Sequence, residues 1–130
     1  LLPLFLFGLT SCAGENPSVS EESKKTELGY EQISAEEAKS IMDSESEYVI
    51  VDARTEEEFA AGHIDRSILI PEYEIANCAE EKIPDKGVLI LVYCRSGRRS
   101  KIASEELVKL GYTNVKEFGG IIDWPYEIVK

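Results

Sequence analysis

Short apolar runs alternate with polar stretches carrying capping and turn signals from Tyr30 to the end of the chain. Glu31-Gln32-Ile33 predicts a short edge strand. Ser34 with Glu37 three residues on has the spacing of a capping box, which predicts a helix through about Met42. Tyr48-Val49-Ile50-Val51 predicts a buried strand ending at Asp52, and Thr55 with Glu58 repeats the capping-box spacing to open a short helix that stops at Gly62. Ile68-Leu69-Ile70 follows as a strand before Pro71, then a helical stretch around Tyr73 to Glu81. The run from Val88 to Tyr93 is continuous and rich in β-branched residues, the pattern of a central strand buried on both faces. Ile102, Ala103, Leu107 and Leu110 recur at helical spacing up to Gly111, a residue suited to ending a helix, and Val115 to Phe118 forms a last strand. This alternation predicts an α/β fold, a parallel five-stranded sheet flanked by helices on both faces. In such sheets the ligand crevice lies at the carboxyl ends of the strands, which is where Asp52 and Cys94 stand.

The connection from the central strand to the helix after it carries the chemistry. Tyr93-Cys94-Arg95-Ser96-Gly97-Arg98-Arg99-Ser100 takes a cysteine from a buried run into a glycine-containing, arginine-rich turn at a helix N-terminus. Unpaired backbone N–H groups, the positive end of the helix dipole and nearby guanidinium groups all favour a sulfur anion there. Successive N–H groups converging on one point stabilise an attacking thiolate. Gly97 lets the turn close, and Arg95, Arg98 and Arg99 are placed to attract a small anion.

Charge and cysteine count narrow the partners. The chain has 130 residues, enough for one domain of ordinary core size, and a net charge of −11 that argues against a nucleic-acid partner. Arg95, Arg98, Arg99 and Lys101 nevertheless cluster in the loop, so the positive charge is local and suits a small anion. With Cys12 set aside for lipidation, only Cys78 and Cys94 remain, too few for a disulfide framework, and there is neither a CxxC pair nor a Cys/His cluster at metal-ligand spacing; no metal and no other cofactor is expected. Cys78 reads as an incidental half-buried thiol, with a resolving-cysteine role as the alternative.

The amino terminus is a separate object. Leu1 to Leu9 is an apolar run too short to span a bilayer and reads as the h-region of a secretory signal, here without its initiator Met and basic region. Leu9-Thr10-Ser11-Cys12 resembles a bacterial lipobox, with an ordinary cleaved signal or a buried strand as the other readings. The expected organisation is a signal peptide over 1–11, a lipidated Cys12 and flexible tether over 12–29, and one domain over 30–130. That places the mature protein in the cell envelope, on the extracytoplasmic side, held to a membrane by lipid alone.

Several motifs in order carry a family resemblance. The segment Asp52 to Ile64, the Cys94 loop, Leu110-Gly111-Tyr112-Thr113-Asn114-Val115, Gly119-Gly120-Ile121 and Trp124-Pro125 together resemble a single-domain rhodanese, over roughly Glu31 to Tyr126. The resemblance implies a rhodanese-like fold and a sulfurtransferase activity. Cys94 would be the nucleophile and persulfide carrier, and the backbone of Arg95 to Ser100 the cradle, including Ser96. The substrates would be a small anionic sulfur donor such as thiosulfate and a thiophilic acceptor, among which periplasmic thiol proteins are included. Asp52 and Arg54 read as a supporting ion pair, His63 as a structural histidine, and Trp124 as a residue packed on the sheet. Two other classes share such a fold. A phosphatase or arsenate reductase would place an arginine six positions after the cysteine, where this chain has Ser100. A non-catalytic partner-binding module would need no cysteine at Cys94.

Overall fold

The computed structural model describes residues 28–130. The signal peptide, Cys12 and nearly all of the tether expected from the sequence lie outside the described residues. Five strands form one parallel sheet: β1 (Glu31–Gln32), β2 (Val49–Asp52), β3 (Ser67–Leu69), β4 (Ile90–Cys94) and β5 (Val115–Gly120), in the spatial order β1-β5-β4-β2-β3. Four α-helices connect them: α1 (Ala35–Ser44), α2 (Glu56–Ala61), α3 (Ile75–Lys82) and α4 (Arg98–Lys109).

Both capping boxes form. Ser34 accepts from the Glu37 N–H while Glu37 reaches back to the Ser34 N–H, and Thr55 and Glu58 repeat the arrangement at the start of α2. The helices cover both faces of the sheet. On one side α3 and α4 bring Ile75, Ala79, Ala103 and Leu107 against Val51, Val92 and Cys94. On the other, α1 and the C-terminal segment pack Ala38 and Trp124 against Ile50, Leu91, Tyr93 and Phe118. Because side chains alternate along a strand, Tyr93 and Cys94 belong to opposite cores.

The helix pattern after the loop differs from the sequence expectation in one respect. Its inward stripe is Ser100, Ala103, Ser104 and Leu107, whereas Ile102 is exposed. Helix α4 begins at Arg98, a full turn earlier than the apolar residues mark, and its first turn is covered by β5 through a serine. Other boundaries move by one or two residues, and the stretch expected as one helix near Tyr73 opens with a 3-10 turn over Glu72–Glu74.

Pairing between β4 and β5 shifts near its end: Val92 lies opposite Glu117 and Cys94 opposite Gly120, so β5 has one more residue than β4 over this step. A bulge of this kind bends the strand and re-aims its side chains. It occurs beside Cys94, at the carboxyl edge of the central strand.

Candidate active site

Cys94 is the last residue of β4 and is 1% exposed. The chain then turns through Arg95 and Ser96, both exposed, to Gly97, which takes the left-handed conformation (φ 107°) and starts α4. Glycine adopts that conformation without the Cβ clash other residues meet. The turn aims the Gly97 N–H back at Cys94 Sγ, at 3.0 Å. An N–H donor at a helix start, directed at a buried sulfur, stabilises negative charge on it without introducing a second nucleophile.

Beneath the sulfur lies Ser100, fully buried, with its Oγ 3.4 Å from Sγ. The Ser100 hydroxyl donates to Glu117 Oε2, which also accepts from the Gly119 N–H at 3.0 Å. Glu117 is buried as well. Reading the sequence for the site misses this residue, although a signal for it exists. Counting in twos from the buried Val115 places Glu117 on the same inward face.

The loop arginines have separate fates. Arg99 directs both terminal nitrogens to Glu58, at 2.8 and 2.9 Å. The Arg99 guanidinium thereby holds the Glu58 carboxyl down at about 2, well under the ordinary carboxylate range, so the pair stays charged across neutral pH. Glu58 also closes the α2 capping box, so one carboxylate ties that helix to the first turn of α4. Arg95 and Arg98 remain exposed. Arg95 borders an open groove of about 420 Å³, lined with Arg54, Ile121, Ile122, Trp124 and Ile128.

Asp52 and Arg54 form a second cluster at the same edge of the sheet. Asp52 carries no exposed surface and accepts from the Arg54 backbone N–H, from the Arg54 guanidinium at 2.7 to 3.2 Å, and from the Tyr93 hydroxyl at 2.6 Å. Arg54 also donates to the Gly62 carbonyl at 2.7 Å. The cluster joins β2 and β4 to the end of α2, on the face of the sheet opposite Cys94. Burial, followed by the charge of Asp52, pushes the Tyr93 phenol well up, which keeps it a proton donor. Removing one partner from a buried pair of this kind costs about 3–5 kcal/mol, because the other charge is left uncompensated.

The remaining residues singled out in the sequence sit in the scaffold. His63 stacks on Phe59 with ring centroids 3.7 Å apart, its Nδ1 lies 2.9 Å from the Phe59 carbonyl, and its backbone pairs with Val129. Trp124 packs against Phe118 and Tyr126 on the face covered by α1. Cys78 is half-buried on α3, and both it and Cys94 are free thiols.

A buried sulfur in a strand-to-helix turn, met by a backbone donor at the carboxyl edge of a parallel sheet, defines a cysteine-loop α/β protein. The chain belongs to the rhodanese family: the model of the rhodanese-like domain matches residues 34–125. It is 37% identical over 80 residues to the thiosulfate sulfurtransferase PspE of Escherichia coli, covering 62% of this chain and 77% of that protein. Thiosulfate sulfurtransferase 18 of Arabidopsis thaliana is 30% identical, with 79% of this chain and 82% of that protein covered. Among solved structures, a rhodanese with anions from E. coli superimposes with a TM-score of 0.60 at 35% identity, over 64% of this chain and 98% of its own.

Proposed function

We propose that this protein is a rhodanese-type sulfurtransferase in which Cys94 carries sulfur as a persulfide. The carrying observation is the Gly97 N–H directed at the buried Cys94 sulfur. In the loading step the Cys94 thiolate attacks the outer sulfur of thiosulfate. A bond forms between Sγ and that sulfur, the donor S–S bond breaks, and its electron pair leaves with sulfite. A thiophilic acceptor, such as cyanide or a thiolate, then takes the outer sulfur and returns the Cys94 thiolate.

The exposed guanidinium groups of Arg95 and Arg98 attract the anionic donor, each contributing no more than about 1 kcal/mol at such positions. Arg99 supports the loop through Glu58, and the groove beside Arg95 receives the body of the acceptor. Phosphoryl transfer fits the loop less well. Ser100, at the position an arginine would occupy, faces Glu117, and both terminal nitrogens of Arg99 engage Glu58. Incubating purified protein with thiosulfate and mapping the peptides by mass spectrometry should show one sulfur atom gained on Cys94. An unchanged Cys94 peptide would overturn the reading.

The location proposed is the cell envelope, with Cys12 lipidated and the domain held outside the cytoplasm on the tether over 12–29. The apolar run and Leu9-Thr10-Ser11-Cys12 support it. Among the described residues no helix is long and apolar enough to cross a membrane. With Cys12→Ala, the protein should move from the membrane fraction to the soluble fraction. Retention on the membrane of a normally processed variant would count against the lipid anchor.

A further inference from the structure

Glu117 is a buried carboxylate that the transfer steps above do not use. It is 3% exposed and, among the described residues, forms no ion pair. Burying such a charge is costly unless its surroundings compensate. The compensation here is the Ser100 O–H and the Gly119 N–H, both donated to Oε2. A serine hydroxyl has one proton to give. Given to Glu117, it leaves a lone pair of Ser100 facing Cys94 Sγ across 3.4 Å. An oxygen lone pair accepts a thiol proton and repels a sulfur anion. From the other side the Gly97 N–H does the opposite.

The other charged groups near the sulfur are the exposed Arg95 and Arg98, and Lys101, whose Nζ lies 3.9 Å from a Cβ built on Gly97; all three are cations open to solvent, where their charge is screened. Tyr30 is pushed up by burial and then by Glu105 and Glu117, so it is a neutral phenol next to them. Arg99 is committed to Glu58 through both terminal nitrogens. The Asp52, Arg54 and Tyr93 cluster lies across the sheet. Glu117 is thus the buried anion that acts on the sulfur, through Ser100.

We infer that Glu117 is a positioning residue that, through Ser100, disfavours negative charge on the inner sulfur of Cys94 and favours it one atom further out, on the terminal sulfur of the persulfide. The inference rests on the sulfurtransferase reading for its loaded state. Loading moves the charge from Sγ to the outer sulfur, away from the carboxylate, so Glu117 opposes the empty thiolate more than the loaded persulfide. An empty Cys94 is thereby kept less reactive toward adventitious electrophiles, and the ionised enzyme is biased toward carrying sulfur.

Glu117→Gln tests this in the full chain, because its carbonyl oxygen still accepts from Ser100 and Gly119 while the charge is gone. The first readout is alkylation of Cys94 by iodoacetamide between about pH 5 and 10, followed by peptide mapping to separate it from Cys78. Below the plateau of the profile, the variant should react about tenfold faster than the parent. The second is the ratio of loaded to empty Cys94 at a fixed thiosulfate-to-sulfite ratio, measured by mass spectrometry at a pH on both plateaus. There the variant should load about threefold less. Opposite movement of the two readouts is the signature, since a side chain that merely props the loop would lower both. Both falling, both rising, or neither changing would overturn the inference. Should Glu117→Gln not fold by circular dichroism, Glu117→Asn removes the same charge, and although it is one methylene shorter and releases Ser100, the same directions of change are expected of both readouts. If the parent gains no sulfur at all, the sulfurtransferase reading fails separately, and the alkylation profile alone decides the role of Glu117.

Discussion

Replacing Cys94 with serine is expected to abolish sulfur loading from thiosulfate, and with it all transfer to cyanide, while the domain stays folded. Oxygen cannot take the place of sulfur as the carrier, and the hydroxyl of a serine is not ionised near neutral pH, so neither the attack nor the intermediate survives. The fold tolerates the change because the site already offers a hydroxyl its partners. The Gly97 N–H at 3.0 Å can donate to the new oxygen, and Ser100 Oγ at 3.4 Å can accept from it. A buried hydroxyl with both partners in reach costs about 1 kcal/mol or less, against several if it were unpaired. Thermal unfolding and mass spectrometry on the same preparation make the test. A Cys94→Ser protein that melts close to the parent yet gains no sulfur is the expected result. Measurable thiocyanate formation by the folded variant would remove Cys94 from the mechanism, and Cys78 would have to be considered in its place.

Much of this site is legible in the chain because it is built from local rules. Apolar runs such as Val88 to Tyr93 announce strands, and Ser34 with Glu37 and Thr55 with Glu58 announce helix starts through hydrogen bonds that span three residues. The Cys94 loop is equally local, since the same short stretch supplies the sulfur, the glycine that turns the backbone and the helix start that aims a donor. Relations between distant segments are what the chain does not announce. Glu117 looks like one more charged residue in an acidic sequence, and its burial depends on a serine of α4 that local periodicity does not assign to it. Arg99 reads as a substrate ligand from its place in the loop, and its bond to Glu58 spans more than a third of the domain in sequence. Asp52 and Cys94 both stand at strand ends, yet parity places their side chains on opposite faces of the sheet. Ile102 shows the converse error. Apolar character alone assigns it inward, whereas the face of α4 that meets β5 is marked by small and polar residues.

Replacing Gly120 with alanine is expected to collapse the loading of Cys94 from outside the Cys94 loop itself. Gly120 lies opposite Cys94 in the β4–β5 pairing, and a Cβ built on it would sit 2.0 Å from the Arg95 carbonyl oxygen and 2.5 Å from Ser96 Cα. Those are backbone atoms, so no side-chain rotation relieves the clash. The same Arg95 carbonyl accepts from the Ile122 N–H at 3.2 Å, which fixes it from the segment immediately after β5. Gly120→Ala must therefore move the loop off the strand, and the Gly97 N–H moves with it. Displacements of about 1 Å at a reacting centre are worth on the order of a hundredfold in rate, and forcing a methyl into a filled space costs about 1–3 kcal/mol of stability. The expected result is a fall of about a hundredfold in kcat/KM for thiosulfate together with a lower Tm. Gly119→Ala supplies the comparison. Gly119 has φ 91°, but nothing lies within 4 Å of its Cβ position, so the substitution meets conformational strain of about 1–2 kcal/mol and no collision with the loop. Stability should fall in both variants, whereas loading of Cys94 should collapse only in Gly120→Ala. Equal loading by the two variants would mean that the loop is positioned from within its own turn, and that the contact between strand and loop serves stability alone.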